Sequence, residues 1–253
     1  MLTASRIKQI SSLSQKKFRK ELGLFVAEGE KVVTELLENA NWEIHQIFAI
    51  DSWFDKHNVP ANILAEKVSP KDLSRISTLV TPNQVLAVVK IPERIIDNIR
   101  LQKRYTLLLD NIQDPGNFGT ILRTADWFGV ENIICSENTV ELYNPKVIQA
   151  SMGSFMRVNV FYNSLKKFLE RLPSGFPAMG AMLEGENIHQ SKLPKEGILI
   201  IGNESRGISP DLTKYINHKL NIPLNRLRGK NNFPDSLNAA VANGIILSHL
   251  SKH

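Results

Sequence analysis

The sequence predicts an α/β protein in two parts: a larger C-terminal domain built on a mostly parallel sheet, and a small N-terminal α/β unit. Three observations carry that expectation. The stretch Leu107 to Val130, LLLDNIQDPGNFGTILRTADWFGV, opens as an apolar strand and passes through a polar turn, Asp110 to Gly116. It then becomes helical, with Ile121, Leu122, Ala125 and Phe128 on one face. Beyond residue 105, apolar runs alternate with helical segments, the pattern of strands joined by crossover helices. Between the two parts, PERIIDNIRLQKR begins at Pro92 and carries several charges and no strand pattern. It places a linker at 93–104, between a domain at 1–92 and one at 105–253.

In chain order, residues 3–22 read as one or two short basic helices with Ile7, Ile10, Leu13 and Phe18 as apolar points. Leu24, Phe25 and Val26 form a short buried strand, and Glu28-Gly29-Glu30 leads into a helix through Val32, Val33, Leu36 and Leu37. A strand follows at Ile44 to Ile50, with Asp51 placed to cap a short helix. Ser69-Pro70 starts a helix that buries Leu73 and Ile76, and Gln84 to Ile91 is the last strand of this unit. In the C-terminal domain, strands are expected at 105–110, 131–135, 157–161, 177–182, 197–201 and 218–222. Helices are expected at 117–129, 145–151, 164–171 and 209–216. A final helix over 236–250 has Leu237, Val241, Ile245, Ile246 and Leu250 on its apolar side.

Of 253 residues, 42% are apolar and 22% charged, enough for a proper core and unlike a disordered chain. The net charge of +6 fits a nucleic-acid partner without requiring one. Arg6, Lys8, Lys16, Lys17, Arg19 and Lys20 precede any acid in the sequence; they read either as a solvated helix face or as phosphate contacts. The single cysteine, Cys135, lies in the apolar run IIC and reads as a small core residue rather than a nucleophile. No Cys/His spacing suggests a metal, no run reaches transmembrane length and the N-terminus lacks a signal-peptide core, so a cytoplasmic protein with no metal and no membrane contact is expected.

The familiar nucleotide-binding fingerprints are absent: no G-x-G-x-x-G follows a strand, and Gly229-Lys230 lacks the spacing of a phosphate loop. Three segments remain. The first is the opening stretch, with Asn117 near the helix start and Arg123 interrupting an apolar face. The second is LIIGNESRGI at Leu199 to Ile208. The third is Ile222-Pro223-Leu224 followed, after a polar stretch, by Ser236-Leu237-Asn238. Taken singly, each has a plain structural reading: Gly202 and Gly207 as turn residues, Ser236 as a helix cap, Arg123 as a surface arginine.

Together, N-x-x-D-P-x-N-x-G-x-I-x-R-T-A-x-x-F-G, then G-x-E-x-x-G, then I-P with S-L-N, in that order, resemble the SpoU (TrmH-type) RNA 2′-O-ribose methyltransferases of the SPOUT superfamily. The resemblance covers roughly residues 105–250, and the segment from Asn144 to Ser154 also looks like that family's. The N-terminal part resembles the substrate-binding domain of many members, which is similar to an RNA-binding ribosomal-protein fold. The resemblance implies a deep trefoil knot in the C-terminal domain, a homodimer, and S-adenosylmethionine as methyl donor. It implies cofactor contacts from Ile201, Gly202, Asn203, Glu204, Gly207, Ile222, Pro223, Leu224 and Leu237, with Ile201, Ile222 and Leu237 sandwiching the adenine. It also implies catalytic roles for Arg123, Asn117, Ser236 and Asn238, with Arg123 as the principal catalytic residue. Because an arginine is a poor base, Arg123 is expected to position phosphate and 2′-oxygen, with Asn117 holding the ribose or Arg123, and Ser236 and Asn238 orienting the nucleotide. Glu204 is expected to organise the loops by accepting backbone N–H bonds.

One departure concerns Asn225 to Asp235, about six residues longer than the family's usual spacing. With Arg226, Arg228 and Lys230 it reads either as an RNA-contacting lid or as a loose surface insertion. Ribosomal RNA is the favoured substrate because tRNA-directed relatives commonly lack the N-terminal domain. A tRNA 2′-O-methyltransferase and a catalytically silent RNA-binding or ribosome-assembly factor are the alternatives.

Overall fold

A computed structural model describes residues 1–94, 96, 101, 103–224 and 235–251. They form two compact units: Met1–Glu93 with Glu141–Met156, and Arg94–Val140 with Arg157–His253.

In the first unit, helices α1 (Ala4–Ser12) and α2 (Lys16–Leu22) precede β1 (Leu24–Glu28). There follow α3 (Glu30–Glu38), β2 (Ile44–Ala49), α4 (Asp51–Phe54), β3 (Ala65–Lys67), α5 (Pro70–Ile76) and β4 (Val85–Lys90). The sheet order is β1-β4-β2-β3, with β4 antiparallel to both its neighbours and β3 parallel to β2. Strand β3 was not expected, since Ala-Glu-Lys has neither apolar alternation nor β-branching. Asp51 does not cap α4: Ile50 holds the cap position, and Asp51 is the first helical residue. Ser69 does cap α5, its side chain accepting from the Asp72 N–H at 3.1 Å.

The cations of the first helices divide into two kinds. Arg19 is 2% exposed; it donates to the carbonyls of Leu13 and Ser14 at 2.8 and 2.9 Å and pairs with Glu141 at 2.5 Å. Arg6 is held by Gln46 and Glu66. Lys8, Lys16, Lys17 and Lys20 are exposed. A buried arginine needs its donors satisfied, so Arg19 is a structural clamp and is no part of a phosphate-binding face.

In the second unit the strands are β5 (Tyr105–Leu109), β6 (Asn132–Cys135), β7 (Asn159–Tyr162), β8 (Ala178–Asn187), β9 (Gly197–Ile201) and β10 (His218–Asn221). They form a sheet ordered β10-β8-β9-β5-β6-β7 in which every pairing is parallel. The helices are α6 (Pro115–Trp127), α8 (Leu165–Glu170), α9 (Pro210–Thr213) and α10 (Ala239–Leu250); α7 (Pro145–Ser151) belongs to the first unit. One side of the sheet packs Leu108, Ile134, Ile198 and Ile200 against Leu165, Leu169, Ile208 and Leu212. α6 and α10 pack on each other. Cys135 is fully buried, and burial pushes its thiol well above the usual range, as fits a core residue.

Two boundaries differ from expectation for a reason local to the site. α10 begins at Ala239, not at 236, because Asn238 sits outside the helix (φ −54°, ψ 137°) and its side-chain oxygen accepts from the N–H groups of Ala240 and Val241. β8 runs to Asn187 and carries an irregularity: His218 and Lys219 pair with Met179 and Gly180, but Leu220 pairs with Glu186. Ala181 to Gly185 therefore loop out between paired positions.

Candidate active site

A parallel sheet gathers its loops at the carboxyl ends of the strands. Here the loops after β5, β9 and β10 meet. Asp110, 2% exposed, accepts from the Ser209 N–H at 2.7 Å and from the Asn111 amide at 2.7 Å. Asn111 adopts φ +56° and its carbonyl accepts from the Asn203 side chain at 2.8 Å. The β9 loop closes on itself through paired bonds between Asn203 and Gly207, 3.0 and 2.9 Å. Asn203 Oδ1 also accepts from the N–H groups of Ser205 and Arg206, both at 3.1 Å. The loop tolerates no side chain at Gly202, where a Cβ would lie 2.2 Å from the carbonyl carbon of Gly207 and 2.3 Å from the nitrogen of Ile208.

α6 starts in the middle of this junction. Asp114 caps it, accepting from the Asn117 N–H at 2.7 Å, and Pro115 fills the first helical position. The Asn117 side chain then bridges two other segments: its amide donates to Glu204 at 2.9 Å, and its oxygen accepts from Asn238 at 2.8 Å. Glu204 accepts in addition from Asn203 at 3.3 Å and from the Asp114 N–H at 3.4 Å. Glu204 thus organises the loops as expected, mostly through side-chain amides and with one backbone bond. Asn117 does not hold Arg123; Glu204 and Asn238 occupy it instead. Asn238 acts as helix cap and as the partner of Asn117.

Arg123 lies two turns along α6. Its side chain is exposed, and among the described residues no hydrogen bond or ion pair engages it. Trp127, four residues further and so on the same helix face, is 84% exposed.

Beside the junction lies a cavity of about 460 Å³. Ile201, Gly202, Asn203, Glu204, Gly207, Ile222, Ser236 and Leu237 line it, so the structure brings together most of the residues named from sequence. Pro223 and Leu224 do not line it; both are exposed, where the chain leaves β10 toward 225–234. The expected lid or insertion, apart from Asp235, lies outside the described residues. The sequence reading missed another wall: Ala181, Met182, Leu183 and Glu184 of the β8 loop-out, with Ile246 from α10. The signal for that wall was Gly180 and Gly185, two glycines inside one strand-like run. A Cβ at Gly185 would meet the Lys219 carbonyl oxygen at 2.7 Å, and the Asn221 amide holds the Met182 and Leu183 carbonyls at 3.4 and 2.5 Å.

The cavity suits a medium-sized amphipathic ligand. Its volume falls within the roughly 300–1,000 Å³ of small-molecule sites. Ile201, Ile208, Leu220, Ile222 and Leu237 offer apolar surface, and Asn203, Ser205, Asn221 and Ser236 offer polar groups. An adenosine bearing an amino-acid tail has that division of surface. Among the described residues no cluster of His, Cys, Asp and Glu has the makings of a metal site, and no helix is long and apolar enough to cross a membrane.

Comparison with known proteins agrees with this geometry. The family described as SpoU rRNA Methylase matches residues 104–248, and an MRM3-like substrate binding domain matches residues 4–87. A 23S rRNA (guanosine(2553)-2′-O)-methyltransferase of Bacillus subtilis is 30% identical over 247 residues, covering 97% of this chain and 95% of its own. A solved structure from Porphyromonas gingivalis, described as an RNA methyltransferase of the TrmH family, superposes with a TM-score of 0.85 at 34% identity, covering 99% of this chain and 98% of the other. An AdoMet-bound rRNA methyltransferase from Sinorhizobium meliloti superposes with a TM-score of 0.86 at 29% identity, covering 100% and 96%.

Proposed function

The chain belongs to the SpoU rRNA methylase family, and from that premise we propose that it transfers a methyl group from S-adenosylmethionine to a ribose 2′-hydroxyl of ribosomal RNA. The single observation that carries the reading is the junction itself: an exposed Arg123 on the helix whose first turn, through Asn117, is bonded to Glu204 and Asn238 at the edge of the cavity. Two relatives that match over nearly the whole chain, first domain included, those from Bacillus subtilis and Sinorhizobium meliloti, are rRNA methyltransferases by name, which favours rRNA over tRNA.

In this reading Ile201, Gly202, Asn203, Glu204, Gly207, Ile222 and Leu237 hold the cofactor, the aliphatic side chains against its adenine. The cofactor supplies a methyl group already activated by a positively charged sulfur. Arg123 is the principal catalytic residue. A guanidinium keeps its proton to a pH above about 12, so it is a poor base. Its planar fork suits a phosphate and the 2′-oxygen of the same nucleotide, holding that oxygen for in-line attack. A neighbouring RNA phosphate eases loss of the hydroxyl proton. Ser236, exposed beside the cavity, orients the nucleotide, and Asn117 and Asn238 hold the start of α6 against the cofactor loops. We further read the C-terminal passage as a deep trefoil knot, supported by family membership. The protein acts in the cytoplasm as a homodimer, for which the exposed Trp127 and Val241 on the packed helices α6 and α10 speak.

Two measurements test the reading. Calorimetry is expected to show S-adenosylmethionine binding to the protein alone. Mapping ribose methylation in the rRNA and tRNA of a deletion strain is expected to show one rRNA 2′-O-methyl group missing. A protein that binds no S-adenosylmethionine at high concentration, or a strain in which only tRNA changes, overturns the corresponding half.

A further inference from the structure

We infer that Glu184, on the loop-out of β8, is the residue that receives the ammonium group at the amino-acid end of the cofactor. This rests on the reading of the cavity as a S-adenosylmethionine site.

Among the described residues, three charged ones line the cavity: Glu184, Glu204 and Arg206. The ligand carries a sulfonium, an ammonium and a carboxylate, so it arrives with a net positive charge and needs an anionic group on the wall. Glu204 is already engaged: one carboxylate oxygen accepts from Asn117 and Asp114, and the other from Asn203. Among the described residues no hydrogen bond or ion pair engages Glu184. It is the carboxylate that the described cavity wall still has to offer.

Its position is built rather than incidental. Leu220 pairs with Glu186 where regular pairing would continue from Gly180, so Ala181 to Gly185 leave the ladder. Both ends of the loop-out are glycines in close quarters, and backbone closes Gly185 to a side chain. A Cβ at Gly180 would lie 2.5 Å from the Ile216 side chain, and one at Gly185 would lie 2.7 Å from a backbone oxygen. Asn221 fixes the middle through the Met182 and Leu183 carbonyls, just before Glu184. The loop-out thereby presents Leu183, 71% exposed, and Glu184 along the same cavity wall. A carboxylate held there, partly screened from water once the ligand is seated, makes a charge-assisted bond stronger than a surface ion pair.

The test compares three ligands by calorimetry on the full chain and on the variants Glu184→Gln and Glu184→Asp. S-adenosylmethionine and S-adenosylhomocysteine both carry the ammonium, and only the first carries the sulfonium; 5′-methylthioadenosine carries neither. Glu184→Gln is expected to weaken the first two by roughly five- to tenfold and to leave 5′-methylthioadenosine unchanged, with Glu184→Asp in between. Unchanged binding of all three overturns the inference. So does a loss confined to S-adenosylmethionine, which would place the carboxylate at the sulfur. An equal loss for 5′-methylthioadenosine also overturns it, as damage to the pocket. Wild-type protein that binds 5′-methylthioadenosine but not S-adenosylmethionine would instead overturn the cofactor reading on which the inference rests.

Discussion

The first turn of α6 and the face two turns further on handle their polar groups in opposite ways. At Asn117 the amide is used at both ends, donating to Glu204 and accepting from Asn238. At Arg123 a guanidinium with five N–H donors stands exposed with no acceptor among the described residues. The two sit on one rigid helix, so the contrast does not come from different stiffness. It follows from what each end must meet. Groups that hold the loops around a small-molecule cavity can be satisfied in advance, and pre-formed bonds cost no reorganisation when the ligand enters. Donors meant for a large polyanion have to stay in water until it arrives.

The largest effect is expected where the contrast is sharpest. Arg123→Lys keeps the charge and loses the planar fork, and methyl transfer in single-turnover assays should fall by roughly 10²–10³-fold. S-adenosylmethionine affinity should stay at the wild-type value. Near-normal transfer with normal RNA binding would erase the distinction between the two ends of the helix. Gly202→Ala attacks the pre-organised end. Its Cβ would run into the peptide between Gly207 and Ile208, so overpacking should destabilise the protein by about 2–3 kcal/mol in denaturant titrations. S-adenosylmethionine affinity should fall with it. The smallest effect sharpens the network itself. Asn117→Ala and Asn238→Ala, measured singly and together, should show a coupling of about 0.5–1.5 kcal/mol in stability. Additive losses would mean that the bond between them is a by-product of helix capping.

The parallel sheet was legible because its central strands are apolar runs, LLL, IIC and ILII, of the kind buried on both faces. The motif residues were legible as a set, and most of them do line one cavity. What escaped were features set by partners far away in sequence. Nothing in Ala65-Glu66-Lys67 announces a strand; β2 recruits it by pairing. The role of Asn117 depends on Glu204 and Asn238, which local pattern cannot supply. Arg19 read as one of six cations, and only the fold shows it buried against Glu141. The β8 wall of the cavity was hidden because a loop-out inside a strand leaves only two glycines as its trace. Pro223 and Leu224 were placed on the cavity by motif, and in the structure both are exposed and neither is among its described lining residues.

The segment Glu141–Met156 has a consequence for how such a protein can be taken apart. It lies between β6 and β7 in the chain, yet Tyr143 packs tilted and Phe155 edge-on against Phe25, at 4.7 and 5.9 Å between ring centres, and Phe155 meets Trp42 at 5.2 Å. The backbone consequently crosses from one unit to the other three times, after Glu93, Val140 and Met156. A single cut near residue 94 leaves two other crossings intact. A gene truncated there would encode a methyltransferase half carrying two aromatic rings, Tyr143 and Phe155, whose neighbours had been deleted. The N-terminal half is thus not a detachable accessory, and a lineage that lost it would also have to rewrite sixteen residues in the middle of the other.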